Sequence, residues 1–173
     1  MVYPRRMAKS KTPEAWLSAR DWARAQATLP IACVDVFLYR RRAKAIEIGL
    51  ILRDVPHQGR RWCLVGGRLR RNERLEGAIH RQVRETLGAA ARCMPRTPLV
   101  PLFIAEYMPR RVRGTPYDPR QHAIGLTYAA RVAGRIAAEG EAFDFRWFDA
   151  GALRELPIGF DQDQVIGACL KRL

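Results

Sequence analysis

The sequence has no long apolar run and few cysteines or histidines. A membrane-spanning helix needs about 20 consecutive apolar residues, and no run in this chain approaches that length. The four cysteines are widely separated and form no CxxC motif, and none of the three histidines pairs with another in a metal-binding spacing. These absences argue against a transmembrane helix and a zinc site, and they predict reduced, mostly buried thiols in a cytoplasmic protein.

Lysine is also scarce, so arginine carries nearly all of the formal net charge of +14. The arginines cluster in residues 40–42, 60–61, 68–74 and 110–113. Guanidinium groups bind phosphate oxygens in pairs and keep their charge, so a cleft lined with them suits a polyanion such as a nucleoside diphosphate. Nucleic acid is the weaker alternative, because the basic segments lack interleaved aromatic residues and a recognisable RNA-binding motif.

The order of apolar segments predicts one α+β domain with a mixed sheet between helices. Residues 1–12 are expected to form a disordered basic arm, and residues 13–173 the single domain. Thr12, Pro13 and Glu14 predict the start of a helix that ends near residue 27. Strands are predicted over residues 30–39, 46–53, 62–65, 99–108, 123–132 and 143–148. A short helical turn over 150–155 and a closing helix over 161–170 complete the prediction.

The loop over residues 109–120 is rich in proline, arginine and glycine, which is the composition of a mobile ligand-binding loop.

The most specific pattern spans residues 66–89, GGRLRRNERLEGAIHRQVRETLGA. Gly67 is followed after five residues by Glu73, and after seven more by Arg81. The apolar residues of this segment recur every three or four positions, which predicts an amphipathic helix. Asn72 is the predicted N-cap of this helix, with Glu73 in its first turn, and Gly88 is the predicted end.

This spacing resembles the Nudix box, in which glycine, glutamate and arginine are followed by glutamates at three positions of one helix face. Here those positions hold Gln82, Glu85 and Thr86, so one carboxylate remains of three. The resemblance implies a Nudix-type α/β/α sandwich and a hydrolase that uses Mg²⁺ or Mn²⁺ on nucleoside diphosphate derivatives. The alternative is an ordinary amphipathic helix on which Glu85 is a solvated charge.

Outside the box, the chain is most similar to the GDP-mannose mannosyl hydrolase branch of that family. The segment LPIACVD over residues 29–35 resembles its first strand, and the resemblance makes Asp35 a sugar contact. Arg53 and Arg68 match two arginines that bind the leaving diphosphate. Residues 145–147, Phe-Arg-Trp, match its aromatic-Arg-Trp strand.

The departures from that branch concern the metal and the base. Where the branch has a metal-ligating glutamine and a histidine base, this chain has Glu141 and Ala142. The resemblance therefore suggests a metal site of the Gly67 carbonyl, Glu85 and Glu141. It leaves the base unassigned, and His122 is a candidate replacement because its ordinary pKa suits general-base catalysis.

Each candidate residue also has a structural alternative. Arg81 and Glu73 are predicted to form a structural ion pair that braces the box. Asp35 could instead bind a backbone amide at the strand end, and His122 could be structural. The predicted function is a metal-dependent Nudix hydrolase of a nucleoside diphosphate sugar, in a homodimer. The alternative function is a catalytically weak or inactive Nudix-fold module that binds a nucleotide.

Overall fold

The computed structural model describes residues 17–43 and 45–173. The predicted basic arm and the helix start at Thr12 lie outside these residues. Within the described part of the chain, no helix is long and apolar enough to cross a membrane. The four cysteines are free thiols, with Cys63 and Cys169 buried and the other two half-buried.

Three α-helices and eight strands form in the described residues, together with a 3₁₀ turn over Ala150–Glu155. The helices are α1 (Ala19–Thr28), α2 (Leu75–Leu87) and α3 (Gln162–Leu170). The strands are β1 (Ile31–Arg42), β2 (Ala45–Val55), β3 (Gly59–Cys63), β4 (Val65–Arg68), β5 (Arg92–Pro95), β6 (Phe103–Tyr107), β7 (Ala123–Ala133) and β8 (Asp144–Asp149).

The eight strands form one mixed sheet, with β3, β2, β1, β7 and β5 in order across it. Strand β4 pairs with β1, β6 with β7 and β8 with β2. Strands β1 and β7 run parallel, whereas the other pairs of the described strands are antiparallel. Helix α2 contacts β1, β4 and β5, and α3 contacts β6. A mixed sheet flanked by helices confirms the predicted α+β class.

The central strand β1 is buried on both faces, as expected for a strand covered by packed elements on either side. Val34, Val36 and Leu38 point to one face, and Phe37 points to the other; all four are fully buried. Helix α2 contributes Ala78, Ile79, Val83 and Leu87, which form the apolar stripe predicted from their spacing. The polar residue in this run, Asp35, points to the face opposite α2.

The box helix begins later than predicted. Asn72 is not its N-cap, because that residue has a φ of 62° and lies in a left-handed turn before the helix. Arg74 occupies the N-cap position and makes no side-chain capping bond. The turn leaves Glu73 outside the helix, where its carboxylate accepts the backbone N–H of Arg70. Gly88 ends the helix with a φ of 89°, as predicted.

The segment predicted as one strand over residues 62–65 is two strands with a break at Leu64. The backbone N–H of Leu64 donates to Oε1 of Gln162 at 2.8 Å, so this residue leaves the sheet ladder and binds α3 instead. Strand β5 was not predicted, because its four residues lack an alternating apolar pattern. The predicted strand over 99–108 shortens to Phe103–Tyr107, which pairs with β7.

Candidate functional site

A cleft crosses the end of the sheet at Gly66 and Gly67, where two pockets meet. The Asp35 pocket lies on the α3 side, and its charged lining residues are Asp35, Arg53, Asp118 and Arg120. The box pocket lies on the α2 side, and its charged or polar lining residues are Arg68, Arg70, Arg81, Gln82, Glu85, Thr86 and Glu141. The two glycines belong to the linings of both pockets.

The two glycines are required by the close approach of side chains from opposite faces. A Cβ at Gly66 would collide with Oδ1 of Asp35 on the neighbouring strand. A Cβ at Gly67 would lie 2.8 Å from Nε2 of Gln82 on α2. Because successive strand residues point to opposite faces, the pair opens the sheet on both sides at once.

An ion-pair network braces the box pocket around Arg81. Its Nε and Nη2 donate to Glu73 at 2.6 and 2.8 Å, and Nη2 also donates to the carbonyl of Arg68 at 3.1 Å. The Arg81 hydrogen bond lowers the pKa of Glu73, and the Glu73 hydrogen bond raises the pKa of Arg81. The structure thus brings the two predicted bracing residues into direct contact.

The predicted metal ligands lie together, but arginines bind both carboxylates. Gly67, Glu85 and Glu141 all line the box pocket. Glu85 accepts hydrogen bonds from Nη1 of Arg81 and Nη2 of Arg70, each at 3.1 Å. Glu141 accepts one from Nη1 of Arg53 at 2.7 Å. Among residues 17–43 and 45–173, no three His, Cys, Asp or Glu side chains form a group able to hold a metal ion.

This donor set does not fit a resident divalent cation. Mg²⁺ and Mn²⁺ favour anionic oxygen ligands, whereas Gln82 and Thr86 supply an amide and a hydroxyl at the two neighbouring helix positions. A metal at this place would also have to displace guanidinium groups from Glu85 and Glu141.

Asp35 lies at the floor of the other pocket as a buried carboxyl group. Its side chain accepts one long hydrogen bond, 3.5 Å, from the hydroxyl of Tyr107. That hydroxyl accepts from Nε2 of Gln162, also at 3.5 Å. Burial raises the pKa of Asp35 from 3.8 to about 7, against smaller opposing effects of the Tyr107 hydrogen bond and the Arg53 charge. The carboxyl therefore changes protonation state near neutral pH.

Two arginines that line the Asp35 pocket lie against the ring of Phe160. The guanidinium of Arg53 lies 5.8 Å from the ring centroid and that of Arg120 lies 4.6 Å from it. Arg120 binds the buried carboxylate of Asp118 through Nε and Nη2, both at 2.8 Å. The Nε of Arg53 is buried and has no hydrogen-bond partner among the described residues. This orphaned donor suits an acceptor oxygen of a ligand.

Arg68 lines the box pocket and contacts helix α1. Its guanidinium lies 4.0 Å from the ring centroid of Trp22 on α1. Burial and then the neighbouring charge of Arg70 lower the pKa of Arg68. The like charges of Arg68 and Arg70 repel one another, so an anion bound between them is stabilised.

A family model matches residues 12–168 of the chain, and its description is "Domain of unknown function (DUF4916)". The chain belongs to this family. No curated protein matches the DUF4916 chain.

Solved structures identify the fold of the DUF4916 chain. A Jonesia denitrificans protein, described as a possible asymmetric diadenosine tetraphosphate (Ap4A) hydrolase, is 28% identical with a TM-score of 0.71, covering 84% of this chain and 98% of that one. The Nudix domain of Shewanella oneidensis NrtR, complexed with ADP ribose, is 17% identical with a TM-score of 0.63, covering 90% and 99%. A MutT Nudix hydrolase from Burkholderia pseudomallei is 20% identical with a TM-score of 0.57, covering 83% and 98%. The chain has the Nudix hydrolase fold, as the box pattern predicted.

His122 does not join the other predicted site residues of the DUF4916 chain. Its Nε2 lies 3.0 Å from Oε1 of Glu106 on β6, and it lines neither pocket. Ala142 is buried; it stands where the mannosyl hydrolase branch has its histidine base. A base at position 122 stays a prediction that this arrangement does not favour.

Several cleft residues were not among the predicted site residues: Tyr107, Asp118, Arg120, Phe160 and Gln162. Asp118 and Arg120 lie at the end of the loop over residues 109–120, whose composition predicted a ligand-binding role. The signal available in the sequence was that these two oppositely charged residues lie two positions apart. No local pattern marks Phe160 and Gln162, which reach the cleft through long-range packing.

Proposed function

We propose that the protein binds a nucleoside diphosphate derivative in the cleft at Gly66 and Gly67. The observation that carries this proposal is the convergence of Arg53, Arg68 and Arg120 on two joined pockets, with the buried Nε of Arg53 lacking a partner among the described residues. Guanidinium groups match the paired oxygens of a diphosphate in geometry as well as in charge.

The cleft suits a ligand whose diphosphate carries a polar group on its far side. The diphosphate would lie between Arg53 and Arg68, and a hydroxylated group such as a sugar would enter the Asp35 pocket. A carboxyl group with a single long hydrogen bond can accept from, or donate to, sugar hydroxyls. The ADP ribose bound by the Shewanella Nudix domain belongs to this chemical class.

A second candidate function is metal-dependent hydrolysis of a GDP-mannose-like nucleoside diphosphate sugar. Its support is that Gly67, Glu85 and Glu141 line one pocket, with the side chain of Glu85 44% exposed. The Mg²⁺ or Mn²⁺ requirement is part of this candidate, and it depends on ligands that arginines occupy. The homodimer, the cytoplasmic location and the weaker nucleic-acid alternative stay predictions.

Isothermal titration calorimetry tests binding directly. The purified protein would be titrated with GDP-mannose, ADP-ribose and Ap4A in Mg²⁺ buffer, with adenosine as the uncharged control. We expect saturable binding of at least one diphosphate ligand and none of adenosine. The absence of binding to every phosphorylated ligand would contradict the proposal.

Lysine variants separate guanidinium geometry from charge. Arg53→Lys and Arg68→Lys each keep the charge but lose the planar pair of donors, so we expect roughly tenfold weaker binding, equal to about 1.4 kcal/mol. Arg131→Lys is the matched control, because Arg131 is an exposed residue of β7 that lines neither pocket. Equal losses in all three variants would indicate non-specific attraction.

The same ligands incubated in ¹⁸O water distinguish the two candidate functions. Release of GDP with the label on the sugar would support a mannosyl hydrolase. A nucleoside monophosphate with the label on phosphate would indicate the ordinary Nudix reaction. Saturable binding without turnover supports the binding function.

A further inference from the structure

Both carboxylates of the box pocket are bound to arginine. Glu85 lies between the guanidinium groups of Arg70 and Arg81, each at 3.1 Å. Across the pocket, Glu141 binds Arg53 at 2.7 Å. Each carboxylate is therefore compensated by a charge of the chain itself.

The two other box positions cannot restore an anionic site. Gln82 and Thr86 are 7% and 3% exposed, so they are packed into the protein beneath the pocket. The amide of Gln82 fills the space beside Gly67, where a Cβ would lie 2.8 Å from its Nε2 and 3.3 Å from its Oε1. These neutral groups occupy the positions that hold the two additional carboxylates in the Nudix box pattern.

The charge of the pocket favours an anion over a cation. Its lining contains the guanidinium groups of Arg68, Arg70 and Arg81 against the carboxylates of Glu85 and Glu141. Net positive charge repels a divalent cation and attracts phosphate, and both effects increase where water is partly excluded. Burial lowers the pKa of Arg68, and the neighbouring positive charge of Arg70 lowers it further.

We propose that the guanidinium groups of the box pocket replace the divalent cation, so that the protein binds its diphosphate ligand without Mg²⁺. An arriving diphosphate would take Arg70 from the exposed carboxylate of Glu85, which would remain bound to Arg81. Arg53 would likewise turn its free Nε toward the ligand while retaining Glu141. This inference rests on the proposed function and specifies how that same site recognises phosphate.

Calorimetry with ADP-ribose in EDTA and in Mg²⁺ tests the inference. We expect the dissociation constants to agree within about twofold, because no step of binding recruits a cation. Binding at least tenfold weaker in EDTA would overturn the inference while leaving the proposed function in place. Binding in neither buffer, for this and the other diphosphate ligands, would overturn the proposed function itself.

A restored box provides the matched positive control. The double variant Gln82→Glu, Thr86→Glu recreates three carboxylates on one helix face and should bind Mn²⁺, measured by the loss of the free-ion electron paramagnetic resonance signal. The wild-type protein should leave that signal unchanged at about 100 µM Mn²⁺, below the millimolar range of weak carboxylate sites. Mn²⁺ binding by the wild type would overturn the inference.

A second variant covers the case in which two buried glutamates prevent folding. Arg70→Gln removes one guanidinium from Glu85 at a partly exposed position and adds no buried charge. We expect weaker ADP-ribose binding and stronger Mn²⁺ binding from this variant than from the wild type. Unchanged affinities for ADP-ribose and Mn²⁺ would show that the Arg70 guanidinium does not replace a divalent cation, and would overturn the inference.

Discussion

Nη1 of Arg81 donates a hydrogen bond to Oε2 of Glu85 at 3.1 Å, while the same guanidinium binds Glu73 through Nε and Nη2. The Arg81 side chain therefore links Glu73, which precedes α2, to Glu85, the one glutamate that remains at the three box positions of this helix. The side chains of Arg81 and Glu73 are only 9% and 15% exposed, so water screens the bonds between them weakly. The network thus fixes the shape of the box pocket and occupies its carboxylate.

Glu73→Gln should destabilise the fold by about 3 kcal/mol, because it removes one partner of a largely buried ion pair. Chemical denaturation at pH 7 measures this loss. The pKa of Glu73 lies below its ordinary value of 4.5 owing to Arg81, so its stabilising contribution is complete above pH 4.5. That contribution disappears as the pH falls through the lower folded-state pKa. The wild type should therefore lose its advantage over the variant in acid, and an advantage that persists there would contradict this account.

Asp35 should make stability and ligand binding depend on pH near neutrality. Burial raises its pKa from 3.8 to about 7, so between these values the folded state binds more protons than the unfolded chain. The free energy of unfolding should therefore decrease from pH 4 to pH 7. Asp35→Asn should show a smaller decrease, measured by denaturation at each pH.

Binding of a diphosphate should also weaken as the pH rises through 7, because ionised Asp35 adds a negative charge to the pocket. Calorimetry with ADP-ribose at pH 6 and pH 8 checks this expectation. Asp35→Asn should bind equally well at both values, and a pH dependence identical to that of the wild type would exclude Asp35 as its source.

The two cleft glycines should differ in their tolerance of alanine. At Gly66 the new Cβ would meet Asp35 and the backbone of Val34, neither of which can move without disturbing the sheet. We expect Gly66→Ala to cost at least about 3 kcal/mol of unfolding free energy. Gly67→Ala should cost less, since its nearest atoms are the far end of the Gln82 side chain.

Gly167→Ala is the matched control for these variants. This glycine lies inside α3, and a Cβ there would meet no atom within 4 Å. Alanine should stabilise the helix by about 1 kcal/mol. Thermal unfolding of the three variants measures the order, and a larger loss for Gly67→Ala than for Gly66→Ala would contradict the geometry.

The sequence predicted the box because its spacing is local. Gly67, Glu85 and the stripe from Ala78 to Leu87 follow from helix periodicity and a glycine turn, and the structure places them as expected. The start of α2 could not be read locally, since Glu73 leaves the helix to bind Arg81 eight residues later. Asn72 therefore adopts a left-handed turn instead of capping.

Long-range contacts limited the prediction of the rest of the site. Arg53 meets Glu141 across 88 residues of sequence, and Leu64 meets Gln162 across 98. No local pattern encodes such pairs, because they arise when strands and helices pack. The resemblance to the mannosyl hydrolase branch identified Arg53 and Glu141 as two separate site residues. Only the structure shows that they form an ion pair in which each neutralises the charge of the other.

The effect of Glu85→Gln on ADP-ribose affinity tests the central claim most directly. If arginines bind the diphosphate, removal of this carboxylate releases them, and binding should strengthen by roughly fivefold. The repulsion between a carboxylate and an anion about 4 Å away is about 1 kcal/mol even in water. Glu76→Gln is the control, because it makes the same charge change at an exposed position of α2 that lines neither pocket. Tighter binding by Glu85→Gln but not by Glu76→Gln, measured by calorimetry in EDTA, is the result that this account predicts. Binding by Glu85→Gln that is weaker than, or equal to, that of the wild type would contradict it.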